Sequence, residues 1–317
     1  MIRSGVRVLA IVVTFHPERQ TLLALLGELG GQVDEVLVVD NTPSPDDGVW
    51  TMLAGEVGRQ CGLRMVRLGG NLGIATALNV GIEVALSEGF SHVLLSDQDS
   101  LPAAGMVDGL LRAEGRAITA GRRVGGVGPV YLDQVTGIRF PFQVRESGDL
   151  FYSRKHVDER NPDIETLSLI SSGTLIRTAV LKDVGDMLES LFIDYVDVEW
   201  CHRAVAKGYV LIGTGDALMY HNRGEQCLSV WFFGWRKFNG YGATRLYYQF
   251  RNFVYLARLR YVPLFWKIRA SWYWLGNFYA SALFGGERLA STKAMLVGVK
   301  DGLCGNMGAR RIDAGKR

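Results

Sequence analysis

Short apolar runs alternate with amphipathic stretches through the first half of the chain, and this alternation predicts its fold class. Runs such as EVLVVD are too short for helices and almost wholly apolar, as expected for buried strands. Between them, leucine and isoleucine recur at helical spacing, which indicates an α/β protein with a parallel, doubly wound sheet. The predicted strands are Val6–Phe15, Glu35–Asp40, Leu63–Leu68, His92–Ser96 and Val124–Tyr131, and the predicted helices are Arg19–Leu29, Ile74–Glu88 and Gly105–Glu114.

The alternation is interrupted at Leu132–Glu165, which has no apolar periodicity and mixes Pro, Gly, Arg and aromatic residues. Long irregular segments in compact domains are often functional, so we interpret this one as a loop or excursion. Beyond it, the pattern predicts a strand at Leu167–Ser171, a helix at Asp197–Lys207, and two short strands at Tyr209–Gly213 and Ala217–His221.

The composition changes after residue 221, where Trp, Tyr, Phe and Arg become frequent, and we place a domain boundary there. The net charge of +3 conceals sixteen Lys/Arg against four Asp/Glu in residues 222–317, and nineteen against twenty-eight in residues 1–221. An acidic body followed by a basic, aromatic and helical extension predicts different partners for residues 1–221 and 222–317.

Two segments of the extension, Trp231–Phe238 and Trp266–Trp274, combine large aromatic side chains with cations. Trp and Tyr favour the headgroup region of a bilayer and Arg and Lys favour anionic lipid, so these segments predict peripheral membrane contact. The same aromatic residues would also suit the core of a helical subdomain or a homo-oligomer interface. No nucleic-acid partner is predicted, because the body is acidic and no recognition motif is present.

The cellular compartment is predicted from three features of the sequence. Four cysteines without a CxxC pair fit a reducing cytosol. The apolar run Val6–Phe15 contains Arg7 and lacks a small-residue cleavage site, so we interpret it as a strand and not as a signal peptide. The most apolar later stretch, Leu264–Phe284, carries Lys267 and Arg269 and is predicted not to span a membrane. The expected location is therefore the cytoplasmic, inner face of the plasma membrane.

Polar residues follow three of the predicted strands, where ligands bind in open α/β sheets. Thr14 and His16 lie at the end of the first strand, Asp40 ends the second, and Asp97 and Asp99 follow the fourth. Two carboxylates one residue apart point the same way and repel unless a cation such as Mg²⁺ or Mn²⁺ lies between them. Asp40 is placed to bond a base or ribose. The alternatives are a helix-capping loop and a simple turn.

Acidic residues also crowd the start of a later helix, at Asp194, Asp197 and Glu199. A carboxylate crowded by other acids has a raised pKa and can act as a general base. A negatively charged helix start favoured by the helix dipole is the alternative.

Three other segments are candidates for ligand contacts. Gly69–Ala75 precedes a helix, and its glycines would let the backbone approach an anion, although a simple turn fits as well. His221 ends a predicted strand as a metal ligand or a structural histidine, and Ser171–Gly173 ends another as a contact for leaving group or acceptor.

Taken together, these segments resemble glycosyltransferase family 2, and within it the bacterial rhamnosyltransferases of surface-polysaccharide assembly. The resemblance covers about the first 220 residues. The motifs that carry it are Val12–Pro17 (VVTFHP), Val38–Thr42 (VVDNT), Gly70–Gly81 (GNLGIATALNVG), Leu94–Ser100 (LLSDQDS), Ser171–Gly173 (SSG) and Phe192–Arg203 (FIDYVDVEWCHR).

The resemblance implies a GT-A fold, which is a mixed, mostly parallel sheet flanked by helices, and an inverting transfer from dTDP-β-L-rhamnose. It implies that Asp197 is the general base and that Asp97 and Asp99 hold Mg²⁺ or Mn²⁺. From its place at a strand end, His221 is a further candidate ligand of the metal or the diphosphate. The resemblance also implies a glycan or polyprenyl-diphosphate-linked acceptor, whose phosphate Arg251 would meet. Val196 stands where many relatives carry Glu, which leaves the assisting roles of Asp194 and Glu199 open. The residues predicted to contact the nucleotide sugar are Thr14, His16, Asp40, Asn71, Gly73, Asp97, Asp99, Ser172, Glu199 and Arg251.

Three other functions remain open at this point. A relative could use another donor, such as UDP-galactofuranose or GDP-mannose. A non-catalytic sugar-nucleotide or glycan-binding scaffold would share the fold but not the turnover. A nucleotidyltransferase would normally show a glycine- and arginine-rich loop near the N-terminus, and Val12–Arg19 is not of that kind.

Overall fold

The computed structural model describes residues 5–44, 62–134, 136–146, 148–158, 160–221, 227–231 and 233–310. Within them the strands are β1 (Val8–Thr14), β2 (Glu35–Asp40), β3 (Gly62–Arg67), β4 (His92–Asp97), β5 (Ser100–Pro102), β6 (Val124–Leu132), β7 (Phe142–Val144), β8 (Ser153–Lys155), β9 (Asp163–Thr166), β10 (Leu175–Arg177), β11 (Val210–His221), β12 (Cys227–Trp231) and β13 (Trp235–Asn239). The helices are α1 (Arg19–Gly30), α2 (Ile74–Ser87), α3 (Met106–Thr119), α4 (Thr178–Val184), α5 (Val196–Ala206), α6 (Ala243–Arg258), α7 (Leu264–Phe284) and α8 (Arg288–Cys304).

Nine of these strands form one sheet in the order β3-β2-β1-β4-β10-β6-β11-β5, with β9 also paired to β11. β3, β2, β1 and β4 are parallel to one another, as are β6 and β11. β10 is antiparallel to both of its neighbours, and β5 and β9 are antiparallel to β11. The predicted mixed, mostly parallel sheet is confirmed, but the purely parallel sheet expected from periodicity alone is not observed.

Strand β1 shows how the sequence builds two layers around the sheet. Its residues are all buried, and alternate side chains enter different cores because successive residues of a strand face opposite sides. Val8, Ala10 and Val12 pack with α1 and α3. Leu9 and Ile11 pack in the core on the other face, with α2, α4 and α5. A continuous apolar run is therefore what this central strand requires.

The sequence prediction was wrong at three places after β6. Leu167–Ser171 is not a strand, and its apolar residues form an irregular segment in which Leu169 packs against the sheet. The strand that enters the sheet is the following one, β10. Leu132–Glu165 contains β7, β8 and β9, whose three or four residues are too few to show a period. The third difference concerns the two short strands predicted at Tyr209–Gly213 and Ala217–His221. They are parts of one strand, β11, which begins at Val210 and has an irregularity between Thr214 and Leu218.

The C-terminal helices share a core with the sheet. Leu246, Phe250 and Phe253 of α6 and Trp274 of α7 belong to the same buried cluster as residues of β1 and α5. The predicted boundary at residue 222 falls in residues 222–226, outside the described part of the chain, and it stays a prediction. None of the helices in the described ranges combines the length and apolar character needed to cross a membrane.

His202 on α5 gives a prediction about stability. Its side chain is buried edge-on to Trp266, and burial, with a smaller effect of Lys267, lowers its pKa to about 4. The unfolded chain binds a proton on this histidine below about pH 6.5, while the folded chain does so only near pH 4. Its contribution to stability is therefore complete above pH 6.5 and is lost as the pH falls towards 4.

Between pH 7 and 5, we expect the unfolding free energy of His202→Leu to fall by about 2 kcal/mol less than that of the wild-type protein. Urea unfolding at pH 7 and at pH 5 measures this difference, with His156→Leu, at an exposed histidine, as the control. Equal pH dependence of stability in the wild type and both variants would refute the prediction.

Candidate functional site

Three strands end side by side at one edge of the sheet. In the parallel register Thr14 of β1 is opposite Asp40 of β2, and Val13 is opposite Asp97 of β4. Side chains separated by more than 80 positions in sequence are thereby neighbours. The edge predicted to hold the ligand is thus formed by the three expected strand ends.

A cavity of about 750 Å³ opens at this edge, a volume typical of small-molecule sites. Its residues come from the ends of β1, β2, β4 and β11, from the loop before α2 and from the segments around α5 and α6. No described residue of 132–165 lines it, so the expectation of a functional excursion there has no support in this geometry. The lining residues are Val13, Thr14, Phe15, Asn41, Asn71, Gly73, Ile74, Asp97, Gln98, Asp99, Tyr131, Ile170, Ser171, Ser172, Phe192, Ile193, Asp194, Tyr195, Val196, Asp197, His221, Tyr241 and Arg245.

Asp40 lies beneath the cavity and is fully buried. One of its oxygens, Oδ1, accepts hydrogen bonds from the hydroxyls of Thr14 at 2.9 Å and Thr42 at 2.8 Å. The other, Oδ2, has no hydrogen-bond partner, which is costly for a buried carboxylate oxygen.

Asparagines hold the glycine-containing loop before α2. Leu72 donates its backbone N–H to Asn41 Oδ1 at 2.7 Å, and Asn41 Nδ2 donates to Asn71 Oδ1 at 3.1 Å. Gly73 has φ of 91°, and a Cβ there would lie 2.6 Å from the carbonyl oxygen of Phe192. Only glycine fits this close approach. The loop is therefore fixed against the segment that leads into α5.

The loop after β4 is anchored at both ends. Gln98 exchanges two hydrogen bonds with the backbone of Phe15, at 2.7 and 3.1 Å, which tie β4 to the end of β1. Strand β5 then pairs with the end of β11, so that Ser100 is opposite His221. Their side chains are 3.0 Å apart, from Oγ to Nδ1. This pairing explains how His221 comes to line the same cavity as Asp97 and Asp99.

Carboxylates crowd the centre of the cavity. Burial, with the nearby charges of Asp99 and Asp197, raises the pKa of Asp97 to about 7, while Arg245 opposes the shift. Burial also raises the pKa of Asp197, although backbone N–H groups of Val198 and Ser171 bond its carboxylate at 2.8 and 3.2 Å. Burial is the main cause of both shifts, and the neighbouring carboxylates Asp99 and Asp197 add to the shift of Asp97.

A divalent cation fits this donor set. Asp97, Asp99 and His221 all line the cavity, and hard divalent ions prefer carboxylate oxygens. In the described residues, however, no three His, Cys, Asp or Glu side chains are already arranged as a metal cluster. A bound diphosphate would have to supply the remaining ligands, and the metal site stays a prediction.

The segment that enters α5 has an unusual backbone. Phe192, Asp194 and Tyr195 have φ of 66°, 60° and 67°, the left-handed region that non-glycine residues seldom adopt. Such conformations persist only where the surroundings enforce them, and they cluster at functional sites. The segment delivers Asp194 and Asp197 to the cavity.

Two side chains of α6 enforce that backbone. Asn252, fully buried, places Nδ2 within 2.7 to 3.0 Å of three carbonyl oxygens, and its Oδ1 accepts from Arg251 Nε at 2.9 Å. Arg251 Nη2 donates at 2.9 Å to one of the same carbonyls, that of Leu191, and Nη1 donates to the carbonyl of Gly308, near the end of the described chain. The C-terminal region is thus part of the framework of the site. The carbonyls concerned are those of Ser190, Leu191, Ile193, Asp194 and Gly308.

Four predicted contacts do not line the cavity. Arg251 is 1% exposed and donates to backbone carbonyls before α5. It is therefore not available to an acceptor phosphate, and the prediction of that contact was wrong. Glu199 is two residues along the helix from Asp197, so its side chain faces away from the cavity. It is 1% exposed and pairs with Arg203 and Tyr261. His16 lies outside the lining on the exposed rim, and Asp40 lies beneath. The other predicted contacts do line the cavity, namely Thr14, Asn71, Gly73, Asp97, Asp99, Ser172, Asp197 and His221.

The structure adds residues that the sequence analysis missed. Asn41 and Gln98 lie inside motifs that the sequence analysis identified. Their positions next to Asp40 and between Asp97 and Asp99 could have indicated that they belong to the site. Arg245 and Tyr241 precede α6 or lie in its first turn, and nothing in the arginine-rich extension distinguished them. Tyr131 is the second-last residue of the buried strand β6, and its hydroxyl donates to the carbonyl of Ser172 at 2.5 Å.

Comparison with known proteins agrees with this geometry. Residues 10–185 match the family model described as Glycosyl transferase family 2. The chain is 29% identical over 309 residues to the dTDP-rhamnosyl transferase RfbF of Shigella flexneri, covering 96% of this chain and 98% of that one.

Solved structures share the fold at low sequence identity. GalNAc-T7 with UDP, GalNAc and Mn²⁺ gives a TM-score of 0.59 at 13% identity, covering 95% of this chain and 56% of that one. TarS of S. aureus gives 0.56 at 16% identity, covering 97% and 50%. The mannosyltransferase PcManGT of Pyrobaculum calidifontis, in complex with GDP-Man and Mn²⁺, gives 0.56 at 19% identity, covering 94% and 76%. The chain spans about half the length of the first two.

The family model covers more than half of the chain, and the folds agree over nearly all of it. The predicted GT-A type of sheet is confirmed by these neighbours. The chain belongs to glycosyl transferase family 2 and is a glycosyltransferase.

Proposed function

We propose that this glycosyltransferase moves L-rhamnose from dTDP-β-L-rhamnose to a hydroxyl of a glycan or lipid-linked saccharide, with inversion at C1. The observation that carries the proposal is the convergence of Asp97, Asp99 and Asp197, from two distant parts of the chain, in one cavity. The similarity to a dTDP-rhamnosyl transferase over 96% of the chain supports the choice of donor.

Asp197 is the proposed general base. Its carboxylate lines the cavity, and burial raises its pKa, which makes it a stronger acceptor for a proton. Two backbone N–H groups fix its orientation. The acceptor hydroxyl gives its proton to Asp197 while its oxygen bonds to C1 of the sugar. The bond between C1 and the phosphate oxygen breaks on the opposite face, and dTDP leaves with that electron pair.

The other residues of the cavity bind and orient the donor. Asp40, predicted to bond the base or ribose, is fully buried outside the lining and accepts a hydrogen bond from Thr14, which lines the cavity, so its proposed role is to orient Thr14. The loop at Asn71 and Gly73 contacts Asn41 on one side and Phe192, before α5, on the other, where the sugar would meet the base. Asp97, Asp99 and His221 would hold Mg²⁺ or Mn²⁺, which supplies charge stabilisation for the departing diphosphate.

A donor panel tests this function. The purified protein is incubated with dTDP-rhamnose, UDP-galactofuranose or GDP-mannose, a saccharide acceptor and Mn²⁺, and release of the nucleoside diphosphate is measured. We expect release from dTDP-rhamnose, with an α-linked product because the β donor is inverted. Turnover with another donor alone would contradict the rhamnosyl assignment, and absence of turnover with every donor would support a binding scaffold.

The proposed acceptor places the enzyme at the inner face of the plasma membrane, and one surface of the extension suits that location. The β12–β13 hairpin exposes Trp231 (61%), Phe233 (69%) and Trp235 (79%), and Phe233 contacts Trp272 of α7 at 5.5 Å between ring centroids. The exposed cations Arg236 and Lys237 lie on the same hairpin. Aromatic rings flanked by cations are suited to the headgroup region of an anionic bilayer.

Replacing Trp231 and Trp235 together by serine should weaken binding to vesicles of anionic phospholipid by about tenfold or more, because two large apolar side chains no longer leave water. Vesicle co-sedimentation measures it, with Leu150→Ser as control, since Leu150 is exposed on the β7–β8 connection. Undiminished binding by the double variant would contradict the proposal. Dissociation of a dimer by that variant would show instead that the surface is a subunit interface.

A further inference from the structure

Four carboxylates line the cavity, those of Asp97, Asp99, Asp194 and Asp197. Among the described lining residues, Arg245 provides the one Arg or Lys side chain. It lies in the first turn of α6, and its guanidinium lies over the ring of Tyr241, 4.5 Å from the centroid. Stacking of this kind holds the plane of the guanidinium while leaving its N–H groups able to bond.

The contact between Arg245 and Asp194 is a loose ion pair. Nε and Nη2 of Arg245 lie 3.2 to 3.3 Å from the oxygens of Asp194, whereas charge-assisted N–H···O bonds are usually about 2.7–2.9 Å. The Arg116–Asp163 pair elsewhere in this protein has both bonds at 2.7 Å. The Arg245 side chain is also 45% exposed. This contact is therefore weaker than a short bidentate ion pair.

The charge of Arg245 acts on the centre of the site. Arg245 lines the same cavity as Asp97 and Asp99. Asp97 and Asp99 are the proposed metal ligands for a diphosphate, so a phosphate beside them lies within the field of Arg245. A planar fork of N–H donors is the group best matched to phosphate oxygens.

We propose that Arg245 binds the diphosphate of the ligand in this cavity, exchanging Asp194 for phosphate oxygens as the ligand enters. This inference rests on the proposed function and names the cation that the site uses for its anionic substrate. The exchange releases the carboxylate of Asp194, on the strained segment before α5, to accept a hydrogen bond from a substrate hydroxyl. The diphosphate belongs either to the nucleotide sugar or to a polyprenyl diphosphate acceptor, and binding measurements distinguish the two.

The experiment compares the wild-type protein with Arg245→Ala, Arg245→Lys and Asp194→Asn by calorimetric titration without metal. The probes are dTDP, UDP and GDP for the donor, and farnesyl diphosphate for the acceptor. Lys300→Ala removes an exposed cation of α8 as a control. We expect Arg245→Ala to weaken one class of probe by about 10- to 100-fold, as for the loss of charged hydrogen bonds, and Lys to restore part of that affinity. Asp194→Asn should bind the same probe at least as tightly as wild type, because the competing carboxylate is gone.

The two replacements distinguish ligand binding from a structural ion pair. If the pair only braces the loop, Arg245→Ala and Asp194→Asn break the same contact and weaken binding alike, which would overturn the inference. Unchanged affinity for all probes in Arg245→Ala would also overturn it. Arg245-dependent binding of UDP or GDP in place of dTDP would leave this inference standing while the rhamnosyl donor assignment fails.

Discussion

Asp197→Asn should reduce turnover by about 10²- to 10⁴-fold, the usual contribution of a positioned general base. Asparagine has nearly the same shape and still offers one oxygen to the N–H of Val198. It cannot take the proton from the acceptor hydroxyl, so bond formation at C1 must proceed without that assistance. Initial rates of nucleoside diphosphate release under saturating donor measure the effect.

Binding provides the control for this variant. The dissociation constant for dTDP should change little, because the change affects a step after binding, and thermal unfolding should show the protein folded. Asp186→Asn, at an exposed carboxylate outside the cavity lining, should turn over like wild type. Near-normal turnover by Asp197→Asn would defeat the assignment of the base.

Asn252→Ala should lower both stability and turnover, although Asn252 does not line the cavity. The replacement leaves buried carbonyl oxygens before α5 without their donor, which costs about 2–3 kcal/mol of unfolding free energy. The strained segment can then relax, and a displacement of Asp197 of the order of 1 Å costs about 10²-fold in rate. Denaturant unfolding and kcat, measured where the variant is fully folded, test the two parts of the prediction.

Asn306→Ala serves as the matched control, because Asn306 is exposed, follows α8 and donates its side-chain N–H to Asp301 in the last turn of that helix. A variant at Asn252 that is destabilised but has wild-type kcat would show that the contacts stabilise the fold without positioning the base. Reduced kcat with unchanged affinity for dTDP is the pattern that positioning requires.

The elements that build the ligand-binding edge could be predicted from the sequence because each is locally specified. Strands β1, β2 and β4 are continuous apolar runs, and such runs are buried strands wherever helices cover both faces. The polar residues that follow them are brought together by parallel register alone. Thr14, Asp97 and Asp99 were therefore placed correctly at one edge.

Residues positioned by long-range packing could not be predicted in this way. Arg251 and Arg245 are six positions apart in a chain with many arginines, yet one is buried against loop carbonyls and the other lines the cavity. Glu199 resembles Asp197 in sequence but lies on another face of α5 and pairs with Arg203. Only the fold shows which face of a helix meets the ligand.

The segment at 167–171 shows a different cause of failure. Its apolar residues satisfy the pattern of a buried strand, but Leu169 contacts Cys201 of α5 through its backbone. The backbone N–H of Ser171 then donates to the carboxylate of Asp197, and the hydroxyl of Ser172 accepts from the backbone N–H of Asp97. Leu169 and Ser171 are buried while Ile170 is 48% exposed, so the segment is an irregular support for two acidic residues, which an apolar pattern alone does not distinguish from a strand.

Thermal unfolding with dTDP-rhamnose, in the presence and absence of Mn²⁺, tests most directly that separate carboxylates share a cation and a sugar nucleotide. With Mn²⁺ and donor at about 100 times its dissociation constant, binding should stabilise the wild-type protein by about 2.7 kcal/mol and raise Tm by several degrees. Without Mn²⁺, or in Asp99→Ala with it, the rise should be much smaller. An equal rise in all three conditions, or none in any, would contradict the account.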